Sequence, residues 1–187
     1  MHFIINETFP STLFSMAHCN ALDSTPLTPE SVAKVTISNH IQNNLIDAAG
    51  AIEHYFDSTE RGIERNCMSC HGNKSSQTTV MPTPYKFIVV QLVRFMMQNQ
   101  TVQKVNTEAE PFSSVAISTA QGYCNYDVVG VVEHIGRSTN SGHYVAYIKK
   151  DIGWIQCDDD KLIQLPSNVN PTKNAYLVVL RTNELED

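Results

Sequence analysis

The chain has 187 residues, 42% apolar and 17% charged, the composition of a globular protein long enough to bury one real core. A net charge of −6 without clustered Lys or Arg excludes the basic footprint of nucleic-acid binding and disfavours anionic membranes. No apolar run reaches membrane-spanning length, and residues 1–14 lack the basic leader and unbroken apolar stretch of a signal peptide.

In chain order, residues 1–30 read as irregular, punctuated by Pro10, Pro26 and Pro29. Val32–Ile37 is β-branched with rough alternation, a strand. From Asn44 to Phe56, Leu45, Ala48, Ala49, Ile52, Tyr55 and Phe56 recur at helical spacing, so an amphipathic helix is expected across Gly50. A polar segment follows with Cys67-Met68-Ser69-Cys70-His71. Tyr85–Phe95 is densely apolar, a buried strand, and 97–111 reads as loop. Four more strands are expected at Tyr126–His134, His143–Lys149, Trp154–Cys157 and Ala175–Arg181, joined by Gly-, Ser- and Asn-rich turns. The fold class expected is α+β: residues 85–187 form an antiparallel sheet domain, and residues 1–84 form a less regular extension with one helix. Five cysteines, Cys19, Cys67, Cys70, Cys124 and Cys157, make an odd set with one close pair, which reads as reduced thiols in a cytoplasmic or nuclear protein.

The chemistry is concentrated between Val131 and Asp160. A Gly/Ser/Asn-rich loop ends at Ser141-Gly142, and His143 opens the next strand. Gly142 removes a side chain beside it, so another backbone can approach closely. Trp154, Cys157 and the acids Asp158, Asp159 and Asp160 follow about one hairpin later. Antiparallel neighbours bring the start of one strand opposite the end of the next, so His143 and Asp158 can meet although fifteen positions separate them. A carboxylate fixes the tautomer of such a histidine and stabilises its imidazolium, which readies it to take a proton from a thiol or hydroxyl. From these residues alone, His143 is a candidate, and a half-buried strand histidine beside a solvated acidic turn is the plainer reading.

The string GHYVAYIKKDIGWIQCDDDKLIQL at 142–165, with AYLVVL at 175–180, resembles the His box of ubiquitin-specific proteases. Val129–Gly136 is similar to the strand before that box. Pro84–Phe95 resembles the family's strand ending in an Arg-Phe pair. Ala51–Phe56 leading to Cys67-x-x-Cys70 is similar to the approach to its zinc-bearing fingers. The resemblance runs in order from about residue 32 to 181. It implies an antiparallel β palm with a partial, degenerate fingers extension, without the helical thumb, in a papain-like catalytic domain. It also implies thiol-dependent hydrolysis of ubiquitin isopeptide bonds, with ubiquitin or ubiquitinated proteins as partners. Carried onto this sequence, His143 is the general base, Asp158 orients it, Asp159 is a second acid lining the site, and Gly142 and Tyr144 border the channel for ubiquitin's tail. A turn glycine and a strand aromatic are the plainer readings of those last two.

The same resemblance calls for a cysteine nucleophile in a Cys-aromatic-x-Asn run ahead of the fingers, and the sequence contains none. The expectation is therefore a piece or truncated form of an enzyme, or a ubiquitin-binding pseudoenzyme, in either case with apolar surface left exposed. No cofactor is required. Cys67 and Cys70 have the spacing of one zinc knuckle, with His18 and Cys19 where the family's first ligand pair lies, a set short of family standards for structural zinc. Cys67–His71 also matches a c-type haem attachment motif, with Met81 as the conceivable second axial ligand. That reading leaves the His143 pattern unexplained.

Overall fold

The computed structural model describes residues 11–16, 22–26, 33–57, 59–64, 71, 74–81, 83–98, 100–136, 138 and 141–185. The first strands, β1 (Ser11–Met16) and β2 (Leu22–Pro26), form an antiparallel hairpin where the sequence reads as irregular. Pro26 ends β2, which lies at a sheet edge, the place where strands tolerate proline. The strand expected at 32–37 is β3 (Ala33–Thr36), with Ala33 and Val35 buried and Lys34 and Thr36 exposed.

The expected helix starts later than Asn44. Asn43 and Asn44 adopt left-handed backbone (φ 50° and 63°) and turn a short hairpin between β4 (Ile41–Gln42) and β5 (Leu45–Ile46). Asparagine tolerates that conformation better than other side chains and here ends the helical pattern. Helix α1 (Ala48–Asp57) begins after Asp47, whose Oδ1 accepts from the Gly50 N–H at 2.8 Å. This is an N-cap, and Gly50 leaves room for it, since a Cβ there would collide with the Asp47 carboxylate. The helix buries Ala48, Ala51, Ile52 and Phe56 along one stripe.

Two further strands, β6 (Thr59–Glu64) and β7 (Lys74–Val80), join the first hairpin in a four-stranded sheet ordered β2-β1-β7-β6. The single strand expected over Tyr85–Phe95 is two, β8 (Phe87–Val93) and β9 (Phe95–Gln98), parted by Arg94. The Arg94 guanidinium is buried and donates to four backbone carbonyls: Ala175 (2.6 Å), Thr107 (2.9 Å), Val105 (3.2 Å) and Lys173 (3.2 Å). Strand β10 (Thr101–Lys104) pairs with β9 inside the span read as loop, and Gln100 turns that hairpin with φ 63°.

The remaining strands are β11 (Ser114–Thr119), β12 (Gly122–Ile135), β13 (His143–Lys150), β14 (Gly153–Asp158), β15 (Lys161–Gln164) and β16 (Ala175–Arg181). With β8 and β3 they form an eight-stranded sheet ordered β15-β14-β13-β12-β16-β8-β3, with β11 on the other part of β12. The sheet is not wholly antiparallel, because β3 runs parallel to β8. At 14 residues, β12 is long enough to pair with β11, β13 and β16.

The core fills one face of this sheet. Ile88, Val90, Leu92, Val131, Val178 and Leu180 share one buried cluster with Ile52 and Phe56 of α1, and Glu53 accepts from the Ala116 N–H of β11 at 2.9 Å. Val89, Val93, Val132, Leu177 and Val179 on the opposite face are only half-buried, and Ile148 and Leu162 are exposed there. Among the described residues no helix is long and apolar enough to cross a membrane.

Candidate active site

Strand register places the two key side chains. Ala146 pairs with Cys157, so Asp158 at the end of β14 projects on the same face as Val145 and, two residues earlier, His143. Across β12, His143 pairs with Ile135 and Tyr144 with His134. His143 and Asp158 thus share one face at the end of the sheet, and Tyr144 and His134 share the other.

His143 Nε2 and Asp158 Oδ1 are 2.5 Å apart, with their side chains 46% and 32% exposed. The hydrogen bond to Asp158 raises the histidine pKa above its ordinary value, and the negative charges of Asp158 and Asp159 add to it against a smaller loss from burial. With Nε2 held by the carboxylate, Nδ1 is the nitrogen that can exchange a proton with an incoming group.

Asp159 sits in the two-residue turn between β14 and β15 with φ 51°. His143, Asp158 and Asp159 each offer one donor atom, all within 4.8 Å of one another. Tyr144 is 55% exposed, and its ring lies 4.8 Å from that of His134 and 6.0 Å from that of Tyr176. Gly142 does admit a close approach, although what approaches is a side chain: a Cβ there would collide with the imidazole of His134.

Sequence reasoning passed over several residues around this centre. His134 is buried among Phe95, Tyr144 and Tyr176. Lys104 donates from Nζ to the carbonyls of His134 (2.6 Å) and Gly136 (2.9 Å). Glu133 accepts from the Tyr147 hydroxyl at 3.0 Å. Arg94, Lys104, Glu133 and His134 help line a cleft of about 410 Å³. In the sequence Arg94 falls in the Arg-Phe pair and Glu133 and His134 in the strand before the His box, but neither pattern sets them apart from ordinary strand positions.

The two described thiols do not face this centre. Cys124 is buried against Thr182, with Sγ–Oγ1 3.3 Å, and burial pushes its thiol pKa up. Cys157 adjoins Asp158 and, by strand alternation, projects to the opposite face. His18, Cys19, Cys67 and Cys70 lie outside the described residues. Met81 is fully buried, and its sulfur accepts from the Tyr126 hydroxyl at 3.8 Å.

Residues 11–179 match the family model described as ubiquitin carboxyl-terminal hydrolase. The chain belongs to this family. Among curated relatives, ubiquitin carboxyl-terminal hydrolase 23 of Arabidopsis thaliana is 28% identical over 108 residues, covering 54% of this chain and 12% of its own length. Probable ubiquitin carboxyl-terminal hydrolase 16 of Schizosaccharomyces pombe is 29% identical over 122 residues, 60% of this chain and 26% of its own. A solved chain of the SAGA DUB module bound to ubiquitin aldehyde superposes with a TM-score of 0.75 at 17% identity, covering 100% of this chain and 44% of that one. A chain of the yeast SAGA module matches with a TM-score of 0.74 at 16% identity, covering 99% and 43%. The fold is therefore that of a ubiquitin-specific protease catalytic domain, and this family member spans less than half of the solved chains it resembles.

Proposed function

We propose that this chain contributes the general base and its orienting acid to thiol-dependent hydrolysis of the isopeptide bond after ubiquitin's C-terminal glycine. The observation that carries the reading is the contact between His143 Nε2 and Asp158, which turns Nδ1 toward a reacting group. His143 takes the proton of a cysteine thiol on Nδ1, and the Asp158 carboxylate stabilises the imidazolium. The thiolate attacks the isopeptide carbonyl, the imidazolium protonates the departing lysine amine, and water then releases ubiquitin from the thioester. Asp159 adds negative charge beside the imidazolium, and Gly142 and Tyr144 border the path of ubiquitin's tail. The chemistry requires no cofactor, and Cys67 and Cys70, with His18 and Cys19, form an incomplete set that would hold at most a structural zinc.

A second reading is favoured by one sequence observation, the missing Cys-aromatic-x-Asn run. In that case the chain binds ubiquitin without turnover, as a pseudoenzyme or scaffold. Ubiquitin carrying a C-terminal thiol-reactive electrophile, with the adduct followed by intact mass, tests whether a cysteine of this chain is the nucleophile, and turnover after joining the chain to a segment that carries the nucleophilic cysteine separates the readings. Because Cys124 is buried and Cys157 lies on the wrong face, no adduct is expected at either. An adduct mapped to one of them would contradict the assignment of the nucleophile to another segment. Wherever turnover is measured, His143→Ala should abolish it, and unchanged turnover would sink the catalytic reading.

A further inference from the structure

We infer that His134 is the positioning residue of this site: its ring holds Gly142 and Tyr144, the two sequence neighbours of His143, and so fixes where the His143 imidazole points. This deepens the reading of His143 as general base and rests on it.

Four observations converge on the ring. It is buried, with His134 only 4% exposed at the end of β12. It faces Tyr144 across the β12–β13 ladder, and the two rings lie 4.8 Å apart. A Cβ on Gly142 would collide with its Nε2 and come within 2.8 Å of Cε1 and 2.9 Å of Cδ2, so the Gly142 backbone rests directly on the ring. A Cβ on Gly136 would lie 3.2 Å from Cε1. Gly142 therefore closes on the imidazole directly, while Gly136 packs first on the Ser141 carbonyl and the Gly142 Cα, with the ring beside them.

Gly142 does not need to be glycine for its backbone angles, since its φ lies outside the positive range that Gly122, Gly136 and Gly153 occupy. The space taken by His134 is what excludes a side chain there. Because successive residues in a strand face opposite ways, holding Gly142 and Tyr144 from one face sets the direction of His143 on the other. Lys104 secures this arrangement from the backbone side by donating to the carbonyls of His134 and Gly136. The rings of Phe95 and Tyr176, at 5.5 and 6.3 Å, complete the seat. His134 Nδ1 is buried without a hydrogen-bond partner among the described residues, and burial together with the Lys104 charge lowers its pKa. The ring is thus a neutral wedge that acts by shape.

The test is imidazole-nitrogen NMR of the free chain as wild type, His134→Ala, Gly142→Ala and the double variant, reading the His143 pKa. Methyl signals of Ile88 and Leu180 report whether the core is intact. With the core intact, the His143 pKa should fall toward the ordinary histidine value in each single variant, because the contact with Asp158 is loosened. In the double variant, where the added methyl meets the vacated space, it should return toward wild type relative to Gly142→Ala. An unchanged His143 pKa in His134→Ala, with core signals intact, would overturn the inference. If Gly142→Ala does not fold, the double variant decides: restored folding supports the contact, and failure to restore it refutes it. This readout on the free chain is separate from turnover, which tests the role of His143 as base.

Discussion

His143 opens β13 and Asp158 closes β14, and the antiparallel register of those two strands brings Nε2 and Oδ1 to 2.5 Å although neither side chain is buried. The pair is held by the sheet ends more than by its surroundings. Water still reaches both groups, so the contact orients the ring and contributes little to folding stability.

Removing the acid should therefore change chemistry more than stability. Asp158→Asn is expected to bring the His143 pKa down toward ordinary histidine, since the hydrogen bond to the carboxylate is the largest cause of its rise. Where turnover is measured, the loss should be ~10²-fold or more, the scale of a mis-set general base. NMR titration of the imidazole and steady-state kinetics check the two halves separately.

The same shift sets a pH dependence of folding. A histidine whose folded pKa is raised stabilises the native state below its unfolded value, about 6.5, and the contribution is lost as pH rises through the higher folded value. Thermal unfolding of wild type and Asp158→Asn should then differ most on the mildly acidic side, where His143 is protonated and Asp158 still charged, and converge at alkaline pH. A difference that grows with rising pH would contradict the pairing.

Arg94 should matter for stability far more than a surface arginine. It satisfies the carbonyls of Val105, Thr107, Lys173 and Ala175 at once, and Arg94→Ala would leave one buried and three partly buried hydrogen bonds unmade. A loss of at least ~3 kcal/mol in urea unfolding is expected. Arg94→Lys should recover only part of it, because one ammonium cannot span four carbonyls as a planar fork does.

The cap of α1 gives a smaller, cleaner effect. Asp47→Ala removes the acceptor of the Gly50 N–H and should cost about 1 kcal/mol. Phe56→Ala, at the fully buried end of the same helix, should cost about 3–5 kcal/mol. Chemical denaturation that ranks the two the other way round would mean the helix is not anchored as described.

Much of this arrangement was legible in the sequence where pattern and geometry coincide. Strand β16 falls at Ala175–Arg181 as its apolar pattern indicates, and the His143–Asp158 approach follows from hairpin spacing alone. The hidden parts share a physical cause. The β9–β10 turn uses Gln100 in left-handed backbone, with no glycine to mark it. Strand β11 is rich in Ser, Thr and Ala, so its alternation is faint, and in β2 the proline that suggests loop sits harmlessly at a sheet edge. His134 was invisible because its importance lies in what packs on it, which no one-dimensional spacing encodes.

The most direct measurement is an NMR titration of the chain with intact ubiquitin and with ubiquitin lacking its last two glycines, following the His143 imidazole and the Tyr144 ring. If these residues border the tail and face the scissile bond, intact ubiquitin shifts both signals saturably and the truncated form leaves them largely unmoved. Equal shifts from both forms, or no binding at all, would contradict the placement of ubiquitin's C-terminus at His143 and Asp158.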